Sequence, residues 1–216
     1  MFEQLNLFET QPNLASEAHQ DAALCEIAIP DGRLEFYSHT FNHAQASTYY
    51  QRLAAEVDWR QDSITLFGQC QPLPRLTAWY GDPGRGYTYS GIAMAPTPWT
   101  PLLVDIKARV ESLAGVPFNS VLLNLYRTGQ DGVGWHADDE PELKRGYPIA
   151  SVSFGGTRRF LLKHKTDLTL AKVDLTLTSG SVLLMLDTTQ DHWLHQVPKT
   201  KKAVAPRINL TFRFIQ

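Results

Sequence analysis

Gly134-Trp135-His136-Ala137-Asp138 carries an imidazole and a carboxylate two positions apart. In an extended segment such residues share a face, so His136 and Asp138 can address one metal ion. His195, in the segment from Gln190 to Val197, supplies a second imidazole. Two histidines and one carboxylate form the ligand set of non-haem Fe(II) oxygenases, which leaves coordination positions open for a co-substrate and oxygen. His192 competes with His195 for the third place, although on a strand it would face the other way.

The last apolar stretch adds a second chemistry. In Arg207-Ile208-Asn209-Leu210-Thr211-Phe212-Arg213-Phe214 the apolar side chains alternate strictly with Arg207, Asn209, Thr211 and Arg213. One face is core and the other carries two guanidinium groups, about 20 Å apart at ~3.3 Å per residue. They would bracket a small dicarboxylate, which arginine binds in bidentate fashion. Asn124 and Tyr126 share a strand face just before the His-x-Asp loop and offer polar tips to the same acid.

The elements that must position these groups follow from periodicity. Asn42 and Gln45 form a capping box for a helix reaching Asp58. Thr100, Pro101 and Gly115 bound a second helix with Leu103, Ile106, Val110 and Leu113 as its buried stripe. Beyond Gly115 the period becomes two, and strands are expected at 118–127, 149–154, 159–164, 173–178, 181–186 and 207–215. The expectation is an α+β protein: a double-sheet jelly roll, or double-stranded β-helix, with helices outside one sheet. A single domain over 23–216 would follow a mobile tail at 1–22.

With 216 residues and a net charge of −2, the chain can bury one core but has no overall attraction for nucleic acid. It lacks an apolar run of the ~18 residues that cross a bilayer, and it lacks a signal pattern, so a soluble, cytoplasmic monomer is expected. Cys25 and Cys70 have no metal-ligand spacing and read as buried or half-buried thiols.

Several motifs together resemble the AlkB family of Fe(II)/2-oxoglutarate-dependent nucleic-acid dealkylases. They are Asn124-Leu125-Tyr126, His136-Ala137-Asp138-Asp139-Glu140, Ile149 to Gly155, His192-Trp193-Leu194-His195 and Pro206 to Arg213. Through Leu66-Phe67-Gly68, Leu73-Pro74-Arg75, Tyr80-Gly81-Asp82 and Tyr87-Thr88-Tyr89-Ser90 the chain looks most like the family member that repairs double-stranded DNA. The resemblance implies that His136, Asp138 and His195 hold Fe(II), and that 2-oxoglutarate contacts Asn124, Tyr126, Arg207, Asn209, Thr211 and Arg213. It implies use of O2, release of succinate and carbon dioxide, and loss of the methyl group of 1-methyladenine or 3-methylcytosine as formaldehyde. RNA as substrate, and a metal-containing reader of damaged DNA without turnover, are the alternatives.

The substrate side is expected in a nucleotide-recognition segment at about 60–95. Tyr87 and Tyr89 share a face on which an extruded base can stack. Phe67 is placed to wedge into a base stack. Asp139 is placed to accept a hydrogen bond from an exocyclic amine. Arg75, Arg158, Arg159, Lys163 and Lys165, and above all Lys199, Lys201 and Lys202, are candidate phosphate contacts. In the tail, Gln4-Leu5-Asn6-Leu7-Phe8 resembles the peptide by which bacterial DNA enzymes dock on the sliding clamp.

Overall fold

The computed structural model describes residues 24–66, 69–84, 87–89, 92–94 and 96–216, with the backbone alone at 65, 66, 87–89 and 92–94. The chain opens with a hairpin, β1 (Leu24–Ile29) and β2 (Gly32–Tyr37), and then enters α1 (His43–Glu56). Asn42 accepts the Gln45 N–H while the Gln45 side chain accepts the Asn42 N–H, the reciprocal cap expected. The next segment holds β3 (Ser63–Leu66) and β4 (Gln69–Pro72), then β5 (Leu76–Gly81), then β6 (Tyr87–Tyr89) and β7 (Ile92–Met94). α2 (Pro101–Ala114) starts from Thr100, which accepts the Leu103 N–H, and stops at Gly115, whose φ of 67° lies in the left-handed region. Its buried side chains are Leu102, Leu103, Ile106 and Val110, with Leu102 in place of the expected Leu113.

Strands dominate the remainder: β8 (Ser120–Tyr126), β9 (Val133–His136), β10 (Ile149–Gly155), β11 (Arg158–His164), β12 (Val173–Leu177) and β13 (Ser181–Leu186). After them come the single turn α3 (Thr189–His192), β14 (Trp193–Val197) and β15 (Arg207–Arg213). A seven-stranded sheet runs β1-β2-β13-β10-β15-β8-β5, and a four-stranded sheet runs β12-β11-β14-β9. The paired strands are antiparallel. The short pairs β3–β4 and β6–β7 are separate ribbons in the segment expected to meet substrate.

Two apolar layers hold this arrangement. α1 and α2 bury Leu53, Leu103, Ile106 and Val110 against Val152, Phe154, Ile208, Leu210 and Phe212 on one face of the large sheet. Each such side chain contributes about 1.5–3 kcal/mol through removal from water. The sheets meet through Leu34, Tyr126, Leu183, Met185, Phe160, Leu162, Trp193 and Val197. β15 is therefore covered on both faces and buried along its whole length, so its four polar side chains lie inside the protein. Cys25 and Cys70 are exposed, contrary to expectation, because they lie on an edge strand and on a two-stranded ribbon that no second layer covers. Among the described residues no helix is long and apolar enough to cross a membrane.

Candidate active site

β9 and β14 are neighbours in the small sheet, and their register places His136 opposite His195. Asp138 follows two residues after His136, where the chain leaves β9, and its N–H is held by the Gln190 side-chain oxygen at 2.9 Å. The ligand atoms of His136, Asp138 and His195 lie within 4.8 Å of one another. His192, the competing candidate, is drawn away by α3 into a second group with Asp31 and His164. There the Asp167 N–H donates to His164 Nδ1 at 2.9 Å, so the ring proton sits on Nε2 and faces Asp31 at 3.4 Å. A protonated nitrogen offers no lone pair, and that group is not a ready metal site.

The first group has the opposite tautomer logic. His136 Nδ1 lies 2.9 Å from the Gly134 carbonyl oxygen, to which it donates, leaving Nε2 as a lone pair 3.9 Å from Asp138 Oδ1. Burial, reinforced by the neighbouring His136, pushes the His195 pKa down to about 3, so this imidazole is neutral at physiological pH. Burial alone would raise the Asp138 carboxyl, but Arg213 and the two imidazoles hold it at about 2. Arg213 Nη2 donates to Asp138 Oδ1 at 2.5 Å, both side chains being almost fully buried. Two imidazoles and one ionised carboxylate converging on a point fit an Fe(II) ion.

Beside the group opens a cavity lined by Arg75, Asn124, Tyr126, Ser151, Asn209, Thr211 and Arg213. The cradle is internally braced: Asn209 Nδ2 donates to Ser151 Oγ and to the Val152 carbonyl, each at 2.9 Å, and Thr211 Oγ1 donates to Asn209 Oδ1 at 3.2 Å. Arg207 closes the same face of β15. Its Nη2 donates to Ser153 Oγ at 2.9 Å, while Nε and Nη1 are buried with no hydrogen-bond partner among the described residues. Burial lowers its pKa to about 10, which leaves it cationic at neutral pH. Buried guanidinium donors without an acceptor are costly, and a carboxylate of 2-oxoglutarate would satisfy them. Arg213 neutralises Asp138 and also lines the cavity, and Arg207 has donors to spare, so both guanidinium groups stay candidates to bracket the acid.

Arg75 and Arg158 are not surface phosphate contacts. Arg75 is buried and its Nε donates to Asn124 Oδ1 at 2.7 Å, because β5 pairs with β8 and turns the side chain inward. Arg158 is buried against three carbonyl oxygens, those of Thr128, Asp131 and Pro198. Arg159 is exposed but paired with Asp174. Asp139 is held by Lys165 Nζ at 2.8 Å, facing a neighbouring recess that Glu140 and Gln190 share. Lys199, Lys201 and Lys202 are exposed, in the loop after Val197, a cavity-lining residue. Phe67 and Gln4 to Phe8 lie outside the described residues, and Tyr87 and Tyr89 belong to β6 with their side chains outside the description.

Ser151, Ser153 and Gln190 join the site without having been expected there. The serines interrupt the otherwise apolar β10 at alternate positions, a signal of a polar inward face. Gln190 carries no such signal, since it reaches Asp138 only through the packing of α3.

Fold and site together define an Fe(II)- and 2-oxoglutarate-dependent dioxygenase, and residues 33–213 match the 2OG-Fe(II) oxygenase superfamily. The DNA oxidative demethylase ALKBH2 of Bos taurus is 44% identical over 188 residues, covering 83% of this chain and 68% of that protein. ALKBH2 of Homo sapiens is 43% identical, covering 83% and 72%. The alpha-ketoglutarate-dependent dioxygenase alkB homolog 3 of Homo sapiens is 43% identical over 179 residues, covering 79% and 62%. The solved structure of OsALKBH1 shares the fold, with a TM-score of 0.64 at 18% identity over 88% of this chain and 100% of that one. The chain belongs to the AlkB family of these oxygenases and is an AlkB-like oxidative demethylase.

Proposed function

We propose that this protein repairs DNA by removing methyl groups from the Watson–Crick edge of bases such as 1-methyladenine and 3-methylcytosine. The observation that carries the reading is the joining of the His136, Asp138 and His195 group to a polar cradle beside which the buried Arg207 keeps two donor atoms, Nε and Nη1, without a hydrogen-bond partner among the described residues. A metal-containing reader of damage without turnover would not need both arginines. Similarity to the ALKBH2 proteins, named as DNA oxidative demethylases, supports DNA as the substrate.

With Fe(II) and 2-oxoglutarate bound, the site would supply oxidative decarboxylation coupled to hydroxylation of the N-methyl group. The protein's own part is positioning. His136, Asp138 and His195 would hold the metal, Arg207 would take the distal carboxylate, and Asn124, Tyr126, Asn209 and Thr211 would orient the acid. A methyl group on the pairing edge is accessible only once the base leaves the stack, which costs least at a damaged pair. Phe67 as wedge, Tyr87 and Tyr89 as stacking surface, and Lys199, Lys201 and Lys202 on the phosphates would serve that step.

The test is incubation with Fe(II), 2-oxoglutarate and air of matched DNA and RNA oligonucleotides, each with one 1-methyladenine. Mass spectrometry should show loss of one methylene mass, faster from DNA. Faster loss from RNA would reverse the substrate assignment. A synthetic peptide of residues 1–12 should also bind a bacterial sliding clamp, and Leu7→Ala with Phe8→Ala should abolish that binding while turnover on free oligonucleotides persists.

A further inference from the structure

We propose that Arg158, which does not itself line the cavity, makes the protein select a 2-oxo acid with two carboxylates over one with a single carboxylate. The guanidinium carbon of Arg158 lies 5.6 Å from the ring centre of Tyr126, and that of Arg207 lies 5.3 Å from the same ring. All three side chains are buried, at 4%, 1% and 2% exposure for Arg158, Arg207 and Tyr126. Two cations thus share one aromatic ring. Tyr126 itself lines the cavity.

The hydrogen bonds of Arg158 satisfy its directions but not its charge. Its Nη2 donates to the carbonyls of Asp131 at 2.9 Å and Pro198 at 2.8 Å, and Nη1 donates to that of Thr128 at 3.3 Å. These are neutral acceptors. The nearby Asp131 carboxylate is already held on both oxygens by Arg127, at 2.8 and 3.0 Å. Among the described residues neither Arg158 nor Arg207 forms an ion pair with a carboxylate. Asp131 offsets part of the charge at Arg158, and the two guanidinium groups together leave a positive field that an additional negative charge relieves. Burial lowers the pKa of both groups, and the proximity of Arg158 depresses Arg207 further, whereas Tyr126 and Asp131 act the other way on Arg158.

The inference rests on 2-oxoglutarate as co-substrate, and the experiment separates the two. Dissociation constants are measured by calorimetry on the Fe(II)-loaded full chain without oxygen, for 2-oxoglutarate and for 2-oxopentanoate, which has the same carbon chain but no distal carboxylate. The same titrations are run on Arg158→Gln, which keeps donors but drops the charge, and on Arg158→Lys, which keeps the charge. Thermal melting verifies that each variant is folded.

The expected result is that Arg158→Gln weakens 2-oxoglutarate about tenfold and leaves 2-oxopentanoate unchanged, while Arg158→Lys stays within about threefold of the parent for both acids. Equal weakening of both acids by Arg158→Gln would make the residue a scaffold and overturn the proposal. So would an unchanged preference, or a Lys variant that behaves like the Gln variant. A parent protein that binds neither acid would instead remove the co-substrate on which the inference rests.

Discussion

Asp138 differs from its two histidine partners because it is both a candidate metal ligand and the counter-charge of Arg213. His136→Ala and His195→Ala should abolish turnover with less effect on melting temperature, since neither strips a buried ion of its counter-charge. Asp138→Ala should abolish turnover and also destabilise the fold by about 3 kcal/mol, as expected when a buried pair loses one partner. His192→Ala, which alters the neighbouring group instead, should retain turnover. Denaturant unfolding together with single-turnover assays checks this, and an active His195→Ala with an inactive His192→Ala would reassign the third ligand.

The loop from Arg127 to Gly132 joins three elements: Arg127 reaches Gln61, Gly132 N–H donates to the Pro74 carbonyl, and Thr200 N–H donates to the Gly129 carbonyl at 2.8 Å. Its stability should depend on acid. Burial would raise the Asp131 carboxyl, but the side-chain and backbone donors of Arg127 prevail and hold it below its usual value. The stabilisation is complete above the unfolded carboxylate value of about 3.9 and is lost as pH falls through the lower folded value. Asp131→Asn should therefore flatten the acid limb of a stability-versus-pH curve and lower stability at neutral pH. Packing is equally close at Gly129, where an added Cβ would sit 2.5 Å from the Thr200 carbonyl oxygen. Gly129→Ala should push the lysine-bearing loop outward, weakening DNA binding while 2-oxoglutarate affinity is unchanged, as parallel titrations would show.

At the scale of the molecule, a net charge of −2 leaves no general attraction for DNA, so binding depends on where cations are presented. Replacing Lys199, Lys201 and Lys202 with alanine should make the slope of log affinity against log salt shallower, by about 0.9 for each phosphate of duplex DNA that a lysine had neutralised. Steady-state consumption of a free methylated nucleoside should be unaffected. An unchanged salt slope would leave those lysines as solvated loop charges. The jelly roll suits this division of labour, since β8, β9, β10, β14 and β15 hold the site residues between two sheets while the exposed loop after Val197 remains available to substrate.

Sequence alone determined what local rules govern. The capping box at Asn42, the Thr100 and Gly115 boundaries and the alternation of β15 are short-range patterns, because helix ends and sheet faces depend on neighbours a few residues away. The triad was legible because its residue types are chemically restricted and the His-x-Asp spacing is itself local. Tertiary structure decided which groups met across the chain. The turn α3 removed His192 from competition, β5 carried Arg75 inward, and Arg158 came to rest against Tyr126 and three carbonyls. A charged side chain in a sequence looks the same whether water or protein will surround it, and only the packing of the two sheets assigns its partners.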